Sequence, residues 1–416
     1  MLTTRSDLVS ALSGPCADTL ESCIAQSSRN RFGDLVALHR VIALVDGLER
    51  QAASLAGLID AIDRVGPDRD ERLRSPVLRG WLSLFGRIED WTDVADARLI
   101  RLLDQTDNMR VDFTGAADWT ALLAVESGVI MTWDCRVAIG GVDGSLVGAS
   151  KFGRHLALID EAGNRHDVDL DDSEDPRILG APTLPGIDVV VRNDLPWLRM
   201  KLREDQIPGR QDGVILWEYD EVMPYFPPIS PERILDAAAI LSSALPDKYA
   251  ELAQAMRIII PRISTPNIGL MSFTSSAHQG ACWVARGTVL DNLEDLIHEL
   301  GHVTLRYLEE ALPILAPEQT DELFRVDWRD DPRPIVGIFE GLYVHTKIAE
   351  ALEALVAGGA LTGADRDDAI DRAAEVRREV AAGLEIMRQH GRFTDAGIGY
   401  LEWADAVASE RSRVAA

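Results

Sequence analysis

The chain has 416 residues, 46% of them hydrophobic and 26% charged, with a formal net charge of −26. This is globular rather than disordered composition, long enough for two or three domains, and its acidity argues against a general binder of nucleic acid or anionic membrane, since both need basic patches. Four cysteines without CxxC spacing do not form a disulfide scaffold and fit a reducing, cytoplasmic setting, and the chain shows neither a signal-peptide core nor a run of about 18 apolar residues that could span a membrane.

Residues 1–112 read as a helical N-terminal module. Leu35, Leu38, Val41, Ile42, Val45 and Leu48 form one apolar stripe at helical spacing, and Leu55, Leu58, Ile59 and Ile62 continue it up to Gly66-Pro67. A further helix is expected over 77–85. Residues 113–195 change period and form a β-rich segment. Val129–Trp133 and Val137–Ile139 are β-branched runs next to Gly140-Gly141 and Asp143-Gly144 turns, and Leu156–Ile159 and Val168–Leu170 flank a turn at Glu161–Asn164. Ile187–Val191 is another expected strand. His155 and His166 lie here and are assigned no role.

Residues 196–416 read as a helical, metal-binding catalytic domain. A polar loop follows Trp197. Ser230 caps a helix that opens at Pro231, and another helix is expected from Tyr249 to Ile258. Asn267–Thr274 and Ala281–Val284 read as short strands either side of a turn holding His278. They lead into His298-Glu299-Leu300-Gly301-His302. Two histidines four apart on a helix lie about 40° from each other around the axis, so both imidazoles can reach one metal ion. Leu293, Leu296, Ile297, Leu300, Val303 and Leu308 supply the apolar face, and Asp291 and Asn292 are the expected cap. Gly301, costly inside a helix, implies a close approach of backbone or ligand.

Two histidines need a third protein ligand. Glu340 lies in an apolar stretch, Ile335 to Ile348, and a buried carboxylate needs a partner such as a metal. His345, five residues on and about 140° round the helix, is the reserve. His298, His302 and Glu340 then describe two chemistries. With zinc, Glu299 acts as general base of a gluzincin-type peptidase; with iron the trio is the facial triad of oxygenases. A non-catalytic peptide-binding protein is the remaining alternative.

The stretches LPGIDVVV at 184–191, ILDAAAILSSALP, LIHELGH and WRDDPRPIVGIFEG resemble the HEXXH-motif peptide-modification proteins associated with ribosomally made peptides. The family pattern has His-Gly where this chain has Glu340-Gly341. The resemblance implies an α+β, mainly helical enzyme that uses Fe(II) and 2-oxoglutarate to hydroxylate a carbon of a precursor peptide. It implies iron on His298, His302 and Glu340, Arg333 or Arg329 on the distal carboxylate of 2-oxoglutarate, and Glu299 beside the metal as an orienting group rather than a base. The other reading of both arginines is a turn leading into the helix, in which they pair with Asp330 or Asp331.

Overall fold

The computed structural model describes residues 17–65, 72–85, 100, 103–113, 115–125, 128–132, 134–194, 201–202, 217–218, 230–262 and 272–409. The loop expected after Trp197, most of the strand expected at 267–274 and the cysteine at position 16 lie outside them. With 55% helix and 18% strand in several small sheets, the fold is mixed α+β and mainly helical.

Helices α1 (Ala17–Ile42), α2 (Glu49–Arg64), α3 (Pro76–Phe85) and α4 (Thr106–Arg110) come first. Strands β1 (Trp119–Ala124), β4 (Leu146–Phe152), β5 (His155–Ile159) and β6 (Arg165–Asp169) form an antiparallel sheet in that order. It shares a core with the smaller sheet of β2 (Val129–Met131), β3 (Val137–Gly140) and β7 (Ile178–Gly180). The expected strands at 129–131, 137–139, 156–159 and 168–169 are present. The sequence reading passed over β1, whose Trp-Thr-Ala-Leu-Leu-Ala run has no strict apolar–polar alternation, and β4, whose Gly148, Ala149 and Ser150 carry little apolar signal. Strands β9 (Lys201–Leu202) and β10 (Trp217–Glu218) pair with each other.

The site rests on a second four-stranded sheet, ordered β12 (Phe273–Thr274), β13 (Ala281–Ala285), β11 (Ile258–Arg262), β8 (Val190–Val191). Alternation decides which core each residue joins. Ile259, Cys282 and Val284 face the helices of the C-terminal part; Ile258, Ile260, Ala281 and Trp283 face α1–α3. β11 corrects the helix expected to run from Tyr249 to Ile258. That helix stops at Ala255, because Ile258-Ile259-Ile260 is a β-branched run buried on both faces between two parallel partners. Pro261 is tolerated because β8 pairs only with Ile258 and Ile259.

Around this sheet pack α5 (Glu232–Ala244), α6 (Pro246–Ala255), α7 (Val289–Ala311), α8 (Ile335–Ala357), α9 (Gly363–His390) and α10 (Asp395–Ser409). The core of this part also takes in Leu20, Cys23 and Ile24 from the first turns of α1. Helix α7 carries the HELGH motif and begins earlier than expected. Its cap is Thr288, whose hydroxyl accepts from the Asp291 amide at 3.1 Å while Asp291 accepts from the Thr288 amide at 2.8 Å. Asn292 lies inside the helix and donates to the Ala285 carbonyl at 2.9 Å. Among the described residues no helix is long and apolar enough to cross a membrane. Cys23, Cys135 and Cys282 are buried free thiols.

Candidate metal centre

Gly301 is where α7 and α8 touch. A methyl group there would lie 3.1 Å from the Val344 side chain, so a small residue sets the helix spacing, as its place inside the motif implied. The helices run antiparallel: Gly301 meets Val344, while the charge of Glu340 acts on Glu309, two turns beyond His302. This offset decides what stands opposite the motif. The ring centres of His298 and His302 are 5.0 Å apart, and the ring of His345 is 6.3 Å from that of His298. Two imidazoles on one tetrahedral ion place their ring centres roughly 5 Å apart, given metal–nitrogen distances of about 2.1 Å.

Three imidazoles therefore converge, with the third about 1 Å further out than a bound ion would set it. Among the described residues no three His, Cys, Asp or Glu side chains already surround one point as the donors of an ion would. Glu340 is not brought to the rings; its charge acts on Glu309 and Arg333 instead. The motif pair and the reserve histidine share one place, and the carboxylate read as third ligand is about a turn of helix away.

His345 is held from behind. Its Nδ1 lies 3.1 Å from Glu379 Oε2 on α9, and its ring packs 5.0 Å from that of Trp328. That nitrogen has no aligned hydrogen bond, so the contact is one of charge: the carboxylate stands behind the ring, on the side from which ligating histidines are usually supported. Burial, then the neighbouring His302 and His345, pushes His298 well below the usual imidazole range; burial, then Arg306, brings His302 down to about 3. Both rings are thus neutral at pH 7, the form a metal requires.

Glu299 is buried on the side facing the sheet, where the Thr274 side chain of β12 hydrogen-bonds to it. Burial, then Asp295, raises its carboxyl well above the usual range. The WRDDPRP run is a strand, not a turn. β15 (Arg329–Arg333) pairs with β14 (Phe324–Val326), and the hairpin turn sets Trp328 and Arg329 beside the rings. Arg329 Nε lies 3.2 Å from Asp331 Oδ1, and Arg333 Nε lies 2.7 Å from Asp331 Oδ2, so one aspartate serves both arginines. The positive charge of Arg329 reaches His298 and His302; Arg333 lies against Gly337 on α8. His278 is buried under α3 and against Trp283.

Trp328 is wedged between α8 and α9. Methyl groups at Gly341 and Gly383 would lie 2.8 and 2.9 Å from its indole, so both glycines make room for it. Replacing Trp328 with alanine is expected to cost about 3 kcal/mol of stability and to loosen His345. Chemical denaturation checks the first effect and metal affinity the second; unchanged values in both would show that the indole is not a wedge.

The sequence reading did not select Glu379, Trp328 or Arg306 as part of the site. The Trp328 signal was available in Gly341, a glycine between Phe339 and Leu342 in the apolar first half of its helix. Glu379 carries no local signal. No family model matches the chain, and no curated protein matches it.

Proposed function

We propose that the chain is a metal-dependent enzyme, an Fe(II)/2-oxoglutarate oxygenase that hydroxylates a carbon of a ribosomally made peptide, with the ion held by His298, His302 and His345. The observation carrying this reading is the convergence of a third imidazole, backed by Glu379, on the HELGH pair. The donor set fits a first-row transition ion, because imidazole suits iron as well as zinc. When bound, iron and 2-oxoglutarate would supply the chemistry by which O₂ hydroxylates an unactivated C–H bond, one oxygen atom going to the carbon and the other to succinate, with loss of CO₂.

The chain's own residues do the rest. The three rings bind the ion, and Glu379 stands behind His345 as its support. Arg329 places positive charge beside the pair, which suits an anionic co-substrate. β12 is the outer strand of its sheet among the described residues, next to Glu299. It offers backbone groups to which an extended peptide can pair.

A zinc hydrolase is the second reading, favoured by one feature: a buried Glu299 directly follows His298, the order in which HExxH peptidases carry their general base. Glu299→Gln separates the two. In the hydrolase it removes a general base and lowers turnover by about 10²–10⁴-fold. In the oxygenase it leaves most of the turnover, measured as succinate released with a cognate peptide and iron. Peptide cleavage with zinc alone, and no consumption of 2-oxoglutarate, would exclude the oxygenase.

A further inference from the structure

Arg306 follows His302 by four residues, on the same side of α7. Its charge acts on His302, on Glu299 and on Glu309, so the guanidinium lies among them. It nevertheless stands in no ion pair among the described residues, and its Nε is buried without a hydrogen-bond partner. Arg333 Nε and Arg377 Nε also lack a hydrogen-bond partner, but the other arginines around the site each stand in an ion pair: Arg329 and Arg333 with Asp331, Arg372 with Asp291, Glu294 and Asp368, and Arg377 with Glu353. An unsatisfied N–H on a partly buried cation is costly, and the acceptor that best fits the planar guanidinium is a carboxylate.

We propose that Arg306 is the carboxylate-binding residue of this site, holding the acid end of a ligand whose reacting end lies at the three imidazoles; this rests on the metal-site reading above. One guanidinium matches one singly charged carboxylate. A doubly charged phosphate would call for a second free cation, and Arg329 and Arg333 are already paired with Asp331. Four residues of helix separate the α-carbons of His302 and Arg306 by about 6 Å, a span that a diacid of four or five carbons covers. The carboxylate comes from one of two sources: the far end of a 2-oxo diacid, or an acidic group of the peptide next to the reacting carbon.

Glutarate is the first probe, because it lacks a keto group and so reports the carboxylate site without chelating a metal. Calorimetry on the metal-free protein is expected to show glutarate binding that weakens at least about 10-fold in Arg306→Gln and returns in part in Arg306→Lys. Glutaric diamide should not bind. Glutarate binding to Arg306→Gln as tightly as to the parent overturns the proposal. If glutarate fails to bind the parent, that also overturns it.

The source is read on iron-loaded protein under nitrogen, by binding alone. The far end of the co-substrate is the source if the preference for 2-oxoglutarate over 2-oxobutyrate collapses in Arg306→Gln. The peptide is the source if the preference for N-acetyl-Ala-Asp-Ala-amide over its Asn counterpart collapses instead. Neither preference changing counts against the proposal. Metal content is measured on the same samples, so a chain that binds glutarate through Arg306 but no metal would sink the metal reading alone.

Discussion

Replacing Lys347 with alanine is expected to lower stability by about 3–5 kcal/mol, the usual result of stranding one half of a buried ion pair. Lys347 and Glu251 are 2% and 3% exposed and form a salt bridge between α8 and α6. Thr304 of α7 donates to the same Glu251 oxygen at 2.8 Å. Lys248 lies 3.3 Å from Glu350, which accepts from the Trp403 indole of α10, also at 3.3 Å. Four helices are thus tied by one charged network behind the helix pair that carries the imidazoles. Removing Lys347 leaves Glu251 buried with only Lys248 and Thr304 to offset its charge.

The same network sets a pH dependence. Burial alone would raise the Glu251 carboxyl, but Lys347 and then Lys248 outweigh it and hold it below the usual range. A group whose folded pKa is depressed contributes stability above its unfolded value, and that contribution fades as pH falls through the folded one. The parent should therefore lose stability on acidification below the ordinary carboxylate range, and Lys347→Ala should lose less. Urea denaturation at a series of pH values measures both. Equal acid sensitivity in the two proteins would remove Glu251 from the account.

The motif helix was legible because its information is local. The three-and-four spacing, the two histidines and an acidic first turn all lie within 23 residues. Even there the cap was read three residues late, since Thr288 forms its capping box with the very Asp291 taken for the cap. The third imidazole was not legible in the same way. Choosing between Glu340 and His345 depends on how α8 slides against α7, and that is set by the Gly301–Val344 contact, between residues far apart in the chain. Apolar context suggested a buried Glu340, but the residue lies partly exposed beside Arg333, at the level of Glu309.

The arginines followed the same division. The pairing of Arg329 and Arg333 with Asp331 is local and was foreseeable as the alternative reading. That WRDDPRP would be a hairpin strand depended on β14, which no pattern in Phe324–Val326 announces. Ile258–Ile260 was misjudged because a short apolar run reads equally well as the end of a helix or as a buried strand. Only the flanking strands decide between the two.

The central claim is that His345, and not Glu340, joins His298 and His302 around one ion. It is tested most directly by titrating Fe(II) or Co(II) into the parent, His345→Ala and Glu340→Ala under nitrogen, with metal-to-protein stoichiometry and affinity as the readout. The account predicts one ion per chain in the parent and in Glu340→Ala, with affinities within a few-fold. For His345→Ala it predicts a loss of at least about 100-fold, beyond the 10–100-fold cost of removing a supporting residue. Retention of the ion by His345→Ala together with its loss from Glu340→Ala would contradict the account.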